Sequence, residues 1–492
     1  MNQNLITVLA VVLTAIIVGA AVYVLAPAKT VTETATVTKT VTTTVTQTQT
    51  STVTPLPVAC PVLPEPSEPI TLKFWKWQSL TIVDNQIQRV IDMWNQLHPN
   101  VKIEFTVMGE LSTVEFTMKV EQMTDAGQGP DIVMIDELSL ADLAYDGYLA
   151  ELPDYLQEIV KKNIVEPFDQ ITYFWGPDGV KRMYGFPGLR GASVKVLIVN
   201  DYMLQEIGYP TNWCPKDWNE LIDVAKRLTK YDDQGNLVRS GLFVRVSGHI
   251  GGIFDKFGPI FLAAGGRILW CENGQWKTDV NSNIGRTVLQ LYYDVLYTHH
   301  IYDPGFPGDT AAFAQELVAM LLPREPTEVL NALLALNPER FRDPQTGQFK
   351  GFHFCPIPPP SQNMSSRTWL DMHVVGVNAY SPPERQQWAF AFLCWVAINK
   401  DVKLTLFNEI GMWAPWRDIV NEPPFDQLIF QQILEIAKTG ESRVIHPRSG
   451  SLFATGGEVL SRIYLKELSI EDGLRELEKA LLEAANEVPC VS

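Results

Sequence analysis

The spacing of apolar and polar positions changes character three times along the chain. Leu5 to Ala26 is an unbroken apolar run of 22 residues without a charge, long enough to cross a bilayer as a helix. Residues 30–54 then alternate, with Thr at fourteen of the 25 positions. Strict alternation of β-branched residues has the period of a strand, but nothing here turns the chain and the run is several times a strand's usual length. From Ile70 onward short apolar stretches alternate with helical stripes. ITLKFWKW (70–77) and VKIEFTV (101–107) have strand character. Between them Ile87, Val90, Ile91, Trp94 and Leu97 fall on one helical face, with Asp84 as the predicted N-cap and Pro99 as the stop. Phe116, Val120 and Met123 mark a second helix that ends near Gly127, and the all-apolar strand Ile132–Ile135 follows. Strand–helix–strand–helix–strand with short links predicts a parallel, right-handed sheet of α/β class, with Ile132–Ile135 covered on both faces.

Two later segments add packing detail. Ser381 with Pro382, Pro383 and Glu384 predicts a capped helix start, followed by the stripe Trp388, Phe392, Leu393 and Val396. Ser469 begins a last helix carrying Leu474, Leu477 and Leu481. Trp94, Trp218, Trp388 and Trp395 lie on helical stripes and are expected in the core.

The N-terminal 67 residues read as an anchor or signal (residues 1–27) and a stalk (28–67). The stalk is Thr-rich, then Pro-rich from Pro55 to Pro69, which predicts an extended, disordered tether and an acceptor for O-glycans. As a coil its roughly 40 residues span ~35 Å. A retained transmembrane helix is favoured over a cleaved signal, because the run exceeds a signal core and lacks an obvious small-x-small site. Lys29 and Lys39 follow the run and no cation precedes it, which by the positive-inside rule opposes an exterior body. The glycan-type stalk outweighs this, and the globular part is expected outside the cell.

Charge narrows the partners. A 492-residue chain with a formal net charge of −17 repels nucleic acid and anionic lipid. Its length suggests two lobes rather than one core. No phosphate-cradling Gly-rich loop, dinucleotide fingerprint or Cys-x-x-Cys occurs, so no cofactor is expected. His299 and His300, with Asp303 nearby, point apart and make a poor metal site. Of the six cysteines, fifteen pairings are conceivable. Cys60 with Cys490 would pin the ends of the globular part, and Cys394, on an apolar helix, is expected as a buried thiol. Asn363-Met-Ser365 is a glycosylation acceptor pattern in a predicted loop.

The strand Ile132–Ile135 ends in two acids, Asp136 and Glu137. Ligands of open parallel sheets bind beyond the carboxyl ends of the strands, where Trp77 and Gln78 also fall. Neighbours in an extended segment point to opposite faces, whereas glycoside hydrolysis needs two carboxyls facing one bond. Helix capping and ligand contact therefore stand ahead of catalysis for this pair.

These segments, taken in order, resemble the family 1 extracellular solute-binding proteins, the carbohydrate receptors of ABC importers. The resemblance is carried by GPDIVMIDELSLADLAYDGYLAELPDY (129–155), YGFPGLRGASVKVLIVNDYMLQEIG (184–208), PKDWNELIDVAKRLTK (215–230), GGRILW (265–270), VVGVNAYSPPERQQWAFAFLCWVA (374–397) and IGMWAPWRD (410–418). It covers about residues 70–488. It implies a two-lobed periplasmic-binding-protein-like fold of type II, with lobe I at 68–188 plus 356–411 and lobe II at 189–355 plus 412–488. Hinge crossings are implied near Phe186–Ser193, Phe354–Pro358 and Gly411–Trp416, with the ligand held between the lobes.

Sugars present C–H faces that suit aromatic rings and hydroxyls that suit charged side chains. By position, the implied ligand contacts are Trp77, Gln78, Asp136, Glu137, Arg190, Ser193, Trp270, Arg324, Asp371, His373, Trp413 and Arg443. Trp369 and Trp416 also sit near strand ends or hinges. Two positions depart from many sugar-binding members, which carry Asp where this chain has Ser193 and Gly-Gly where it has Asp371 and Met372. The implied function is a monomeric, membrane-tethered receptor that passes a sugar to permease subunits. A receptor of the same fold for peptides, and a surface glycan-degrading enzyme, are the alternatives.

Overall fold

The computed structural model describes residues 59–78, 80–407, 413 and 415–490. The apolar run Leu5–Ala26 and most of the expected stalk lie outside the described residues. Among the described residues no helix is long and apolar enough to cross a membrane.

The first three strands are β1 (Ile70–Trp77), β2 (Val101–Met108) and β3 (Ile132–Asp136), linked by α1 (Thr81–Leu97) and α2 (Thr113–Asp125). β1 pairs in parallel with both β2 and β3, as the alternating pattern predicts. Two boundaries differ from expectation. α1 starts at Thr81 without a side-chain cap, because Asp84 instead pairs with the buried Lys76 Nζ at 2.7 Å. α2 begins with a full capping box between Ser112 and Glu115.

After α3 (Glu137–Tyr145) the chain reaches β4 (Phe186–Val194) and β5 (Val196–Asn200), separated only by Lys195. β4 belongs to the first, seven-stranded sheet and β5 to a four-stranded second sheet. One residue thus carries the backbone from one sheet to the other. The second sheet has the order β6–β7–β5–β8, with β6 at Phe243–Val244, β7 at Met320–Arg324 and β8 at Phe352–Cys355. α4 (Ile250–Ala263) lies between β6 and β7 in sequence. The chain returns to the first sheet through β9 (Thr368–Asn378), which runs antiparallel to β3 and β4. β9 is followed by α5 (Pro383–Ile398), by β10 (Gly440–Ser442), which pairs in parallel with its first residues, and by α6 (Ser449–Tyr464) and α7 (Ile470–Ala485).

The close approach of β4 to β9 dictates a glycine. A Cβ on Gly188 would lie 1.5 Å from the His373 carbonyl oxygen. Gly191, at φ +90°, turns its bare Cα toward the Trp413 carbonyl, a conformation and a contact that L side chains resist.

The helical tryptophans behave mostly as expected. Trp94, 1% exposed, meets Trp388, Phe392 and Trp395 of α5 edge to face at 5.4–6.3 Å, so α1 and α5 share one aromatic core. Trp218 and Trp388 are buried and Trp395 half-buried. Ser469 caps α7. The start of α5 differs: Ser381 does not cap it, because its hydroxyl donates to the buried Asp131 at 2.6 Å.

All six cysteines are paired, as Cys60–Cys394, Cys214–Cys355 and Cys271–Cys490. The expected Cys60–Cys490 bond is therefore wrong, and Cys394 is no free thiol. The helix face that buries the Cys394 sulfur also receives the chain that leads into β1.

Candidate functional site

The carboxyl ends of β1 and β3, the middle of β4 and the first half of β9 meet the loops of the second sheet around a cavity of about 700 Å³. This is within the range of small-molecule sites, about 300–1,000 Å³. Trp77, Asp136, Arg190, Ser193, Asp371 and His373 line it from the first sheet and its crossings, and with Arg324 and Arg443 eight of the twelve implied contacts lie on its wall.

Asp136 both caps and lines. Its Oδ1 accepts from the Ser139 backbone N–H and its Oδ2 from the Ser139 hydroxyl, each at 3.1 Å, while the residue borders the cavity. Glu137 points the other way. It is fully buried, it accepts from Arg443 Nε at 2.6 Å and from the Met372 backbone N–H at 3.3 Å, and it is not among the cavity-lining residues. The two acids diverge, as extended neighbours must, so the placement of Glu137 as a ligand contact gives way to a role beneath the site.

Under the cavity lies a chain of buried charges. Arg443 joins Glu137 to Asp255 of α4, with Nη1 at 2.9 Å from Asp255 Oδ1. Lys195, at the crossing between the sheets, contacts Asp255 at 3.1 Å, Asp371 at 2.8 Å and Glu325. Lys256 bridges Asp255 at 2.6 Å and Glu325 at 2.5 Å. Arg324 ends the chain on Asp309 at 2.6 Å and Glu328 at 2.7 Å. Burial pushes the Glu137 carboxyl up to about 7, against the pull of Arg443. Asp255 goes the opposite way: despite the upward push of burial, Lys195, Lys256 and Arg443 hold it well below the carboxylate range. Groups paired this fully on three sides keep fixed positions, so their remaining donors and acceptors face a ligand pre-organised.

Two rings give the site apolar faces. Trp77, anchored by its Nε1–H to the Leu111 carbonyl at 2.9 Å, stands 6.1 Å from the His373 imidazole. Phe453, near the start of α6, lines the opposite side beneath Arg443.

Three predicted contacts lie elsewhere. Gln78 is exposed and accepts from the Glu110 backbone N–H at 3.1 Å. Trp413 is 1% exposed and packs on Phe168 with ring centroids 5.0 Å apart, so it is core. Trp270 sits on a surface hairpin under Arg267, 4.3 Å from its ring, and lines a second cavity of about 410 Å³ with Trp175, Trp276 and Trp369. Trp369 and Trp416 are likewise buried. The residues missed by sequence reading are mainly Lys195, Arg245, Asp255, Lys256, Glu325 and Phe453. A signal existed for three of them. A Lys inside the apolar strand SVKVLIV, and Asp-Lys inside the apolar helix IFDKFGPIF, are costly unless paired or functional.

A pH prediction arises at the edge of the site. Asp142 of α3 faces Arg448, which sits just before α6, at 3.5 Å, but Arg448 gives its two shorter bonds, both 2.9 Å, to Asp146. Burial therefore dominates and pushes the Asp142 carboxyl from 3.8 up to about 8. A raised carboxyl contributes stability at pH below its unfolded value, and that contribution is lost as pH rises through the folded value. Asp142→Asn is expected to flatten the decline in melting temperature between about pH 5 and pH 8. An unchanged slope in thermal melts across that range would refute the assignment.

A cluster of metal-ligating residue types, Cys214, His353 and Cys355, has its two sulfurs joined in a disulfide. His353 is occupied by Asp201 at 2.6 Å and the Trp213 carbonyl at 2.8 Å.

With this geometry in view, comparison with known proteins is informative. The chain resembles the Thermotoga lettingae ABC transporter solute-binding protein solved with α-D-tagatose, at 19% identity and a TM-score of 0.67 over 85% of this chain and 100% of that one. Similar values relate it to the maltose-bound MalE3 of T. maritima, at 17% identity and TM-score 0.67 over 84% and 99% of the two chains. The GacH receptor of Streptomyces glaucescens, solved unliganded and with acarbose, gives 17% and 0.68 over 85% and 99%. These likenesses establish the two-lobed α/β fold of periplasmic-binding-protein type. A Streptomyces antibioticus protein described as an uncharacterized lipoprotein in oleD 5'region is 29% identical over 164 residues, which is 33% of this chain and 34% of that protein. The chain thus spans about a third of the length of this curated relative. The sequence profile of the family described as bacterial extracellular solute-binding protein matches residues 77–401, about two thirds of the sequence, and by that match the chain belongs to this family of binding proteins.

Proposed function

We propose that the protein is a receptor that captures a saccharide in the 700 Å³ cavity and delivers it to the permease subunits of an ABC importer. The observation that carries this reading is the composition of the cavity wall. Charged side chains locked by their neighbours alternate with the two ring faces of Trp77 and Phe453, which suits a ligand with hydroxyl rims and C–H faces. The tagatose-, maltose- and acarbose-bound relatives support the same ligand class. Two acids diverging at Asp136 and Glu137 do not form the facing pair that glycoside hydrolysis uses, which favours a receptor over an enzyme.

The ligand contacts proposed here are Trp77, Asp136, Arg190, Ser193, Arg324, Asp371, His373 and Arg443, joined by Phe453. The apolar run Leu5–Ala26 is proposed as a membrane anchor, holding a monomeric body outside the cell through the Thr/Pro-rich stalk. The lipoprotein relative is consistent with an anchored receptor.

Thermal melting against a panel of mono- and oligosaccharides and short peptides tests the reading. A saccharide at 100 times its dissociation constant should stabilise the fold by about 2.7 kcal/mol and be recovered unchanged. Stabilisation by peptides alone would overturn the proposal.

A further inference from the structure

The charges around the cavity are not evenly matched. Lys195, Lys256, Arg324 and Arg443 each contact carboxylates. Two guanidinium groups that line the same cavity, Arg190 and Arg245, have no carboxylate within ion-pair distance among the described residues. Arg190, in the middle of β4, directs Nη1 at His373 Nε2, 2.6 Å away. A guanidinium only donates, so Nε2 accepts and the ring proton must sit on Nδ1. Burial, reinforced by Arg190, Lys76 and Arg443, keeps this imidazole well below its usual range and therefore neutral, so it cannot offset the Arg190 charge. Among the described residues its Nδ1–H finds no acceptor, and neither does the hydroxyl of Ser193. Arg245 follows β6 on the second sheet's side. It packs against Gly248 and Gly252, where added Cβ atoms would come within 3.1–3.3 Å of the guanidinium, so small residues leave room for it beside the cavity.

The complementary census of acceptors is short. Asp255, Glu325, Glu328 and Asp371 all have cationic partners. Asp136 is the lining carboxylate without one, and both its oxygens already accept from Ser139. Among the described residues the cavity therefore offers two charged donors without a carboxylate partner, Arg190 and Arg245, while every lining carboxylate except Asp136 already has a cation beside it. A neutral sugar hydroxyl donates as often as it accepts and leaves that excess unanswered. An anionic group answers it.

We infer that the natural ligand is an acidic saccharide, whose carboxylate accepts from Arg190 and Arg245. This deepens, and rests on, the reading of the cavity as a saccharide site.

The test is isothermal titration of the intact protein with uronic-acid oligosaccharides, with the same oligomers after reduction of their carboxyls to alcohols, and with acidic dipeptides. The acidic oligomers should bind at least 10-fold more tightly than their reduced counterparts, with an advantage that shrinks as salt rises. Arg190→Gln and Arg245→Gln should each weaken the acidic ligand by about 10- to 100-fold and so narrow its advantage over the reduced oligomer. Arg245→Gln, at a half-buried loop position, guards against a folding defect in the strand variant. Equal affinity for acidic and reduced oligomers, or unchanged affinity in both variants, overturns the inference while the saccharide reading survives. Binding of acidic dipeptides in place of every saccharide overturns both.

Discussion

Arg443→Met is expected to lower the unfolding free energy by about 3–5 kcal/mol, because it leaves buried charges without their partner. Arg443 is the link between Glu137 on the first sheet's side and Asp255 on the second. Asp255 keeps Lys195 and Lys256 after the substitution, whereas Glu137 has only the Met372 N–H left. The defect therefore concentrates on Glu137 and depends on pH. That carboxyl already lies at about 7 through burial, and losing the guanidinium raises it further. Its contribution is present at pH below the unfolded value and disappears as pH rises through the folded one. Both proteins lose it in step up to about pH 7, so the deficit of the variant should stay level from about pH 5 to about pH 7 and grow from about pH 7 to about pH 9. Chemical denaturation of both proteins across that range provides the measurement. Adding Glu137→Gln should recover most of the loss at high pH, and a deficit that stays constant with pH would exclude Glu137 as its source. Ligand affinity should fall as well, since Arg443 lines the cavity.

Trp94→Ala is expected to cost a comparable amount, about 3–5 kcal/mol, by a different route. Trp94 fills the junction of α1 and α5 among Trp388, Phe392 and Trp395, and truncation opens a cavity that the surrounding rings cannot close. This loss should be nearly independent of pH and should leave ligand affinity at saturating fold unchanged. The two variants together separate stability from recognition. A weakened affinity in Trp94→Ala, measured well below its melting temperature, would show that the aromatic core and the binding site are coupled.

Periodicity alone made the first sheet legible. The runs at 70–77, 101–107 and 132–135 and the stripes between them became β1, β2, β3 and their helices, because local pattern and parallel topology demand the same arrangement. The boundaries that slipped did so through tertiary contacts: Asp84 was taken by Lys76 and Ser381 by Asp131, leaving helix starts without the caps their sequences suggest. Site legibility followed a different rule. Residues at strand ends, such as Trp77 and Asp136, could be placed from topology, whereas His373, in the middle of β9, came only with the family resemblance. Asp255, Lys256 and Glu325 could not, since they reach the cavity by packing of the second sheet's elements, which no spacing in the chain encodes. Trp413 and Trp270 misled because an aromatic near a hinge has the same local sequence whether it faces a cavity, the core or the outer surface.

The bond between Cys60 and Cys394 has a mechanical meaning. Any pull on the segment that precedes Cys60 passes through sulfur into α5, which lies against α1 in the aromatic core, and leaves β1 unloaded. Without that bond the same pull would act on β1 directly and peel an element of the first sheet from its neighbours. Drag on the folded part would then be felt at a single riveted point, while the strand ends that shape its mouth stay unstressed. Cleaving this one covalent bond should make the folded part yield at lower force in single-molecule extension, even though its contacts are otherwise intact.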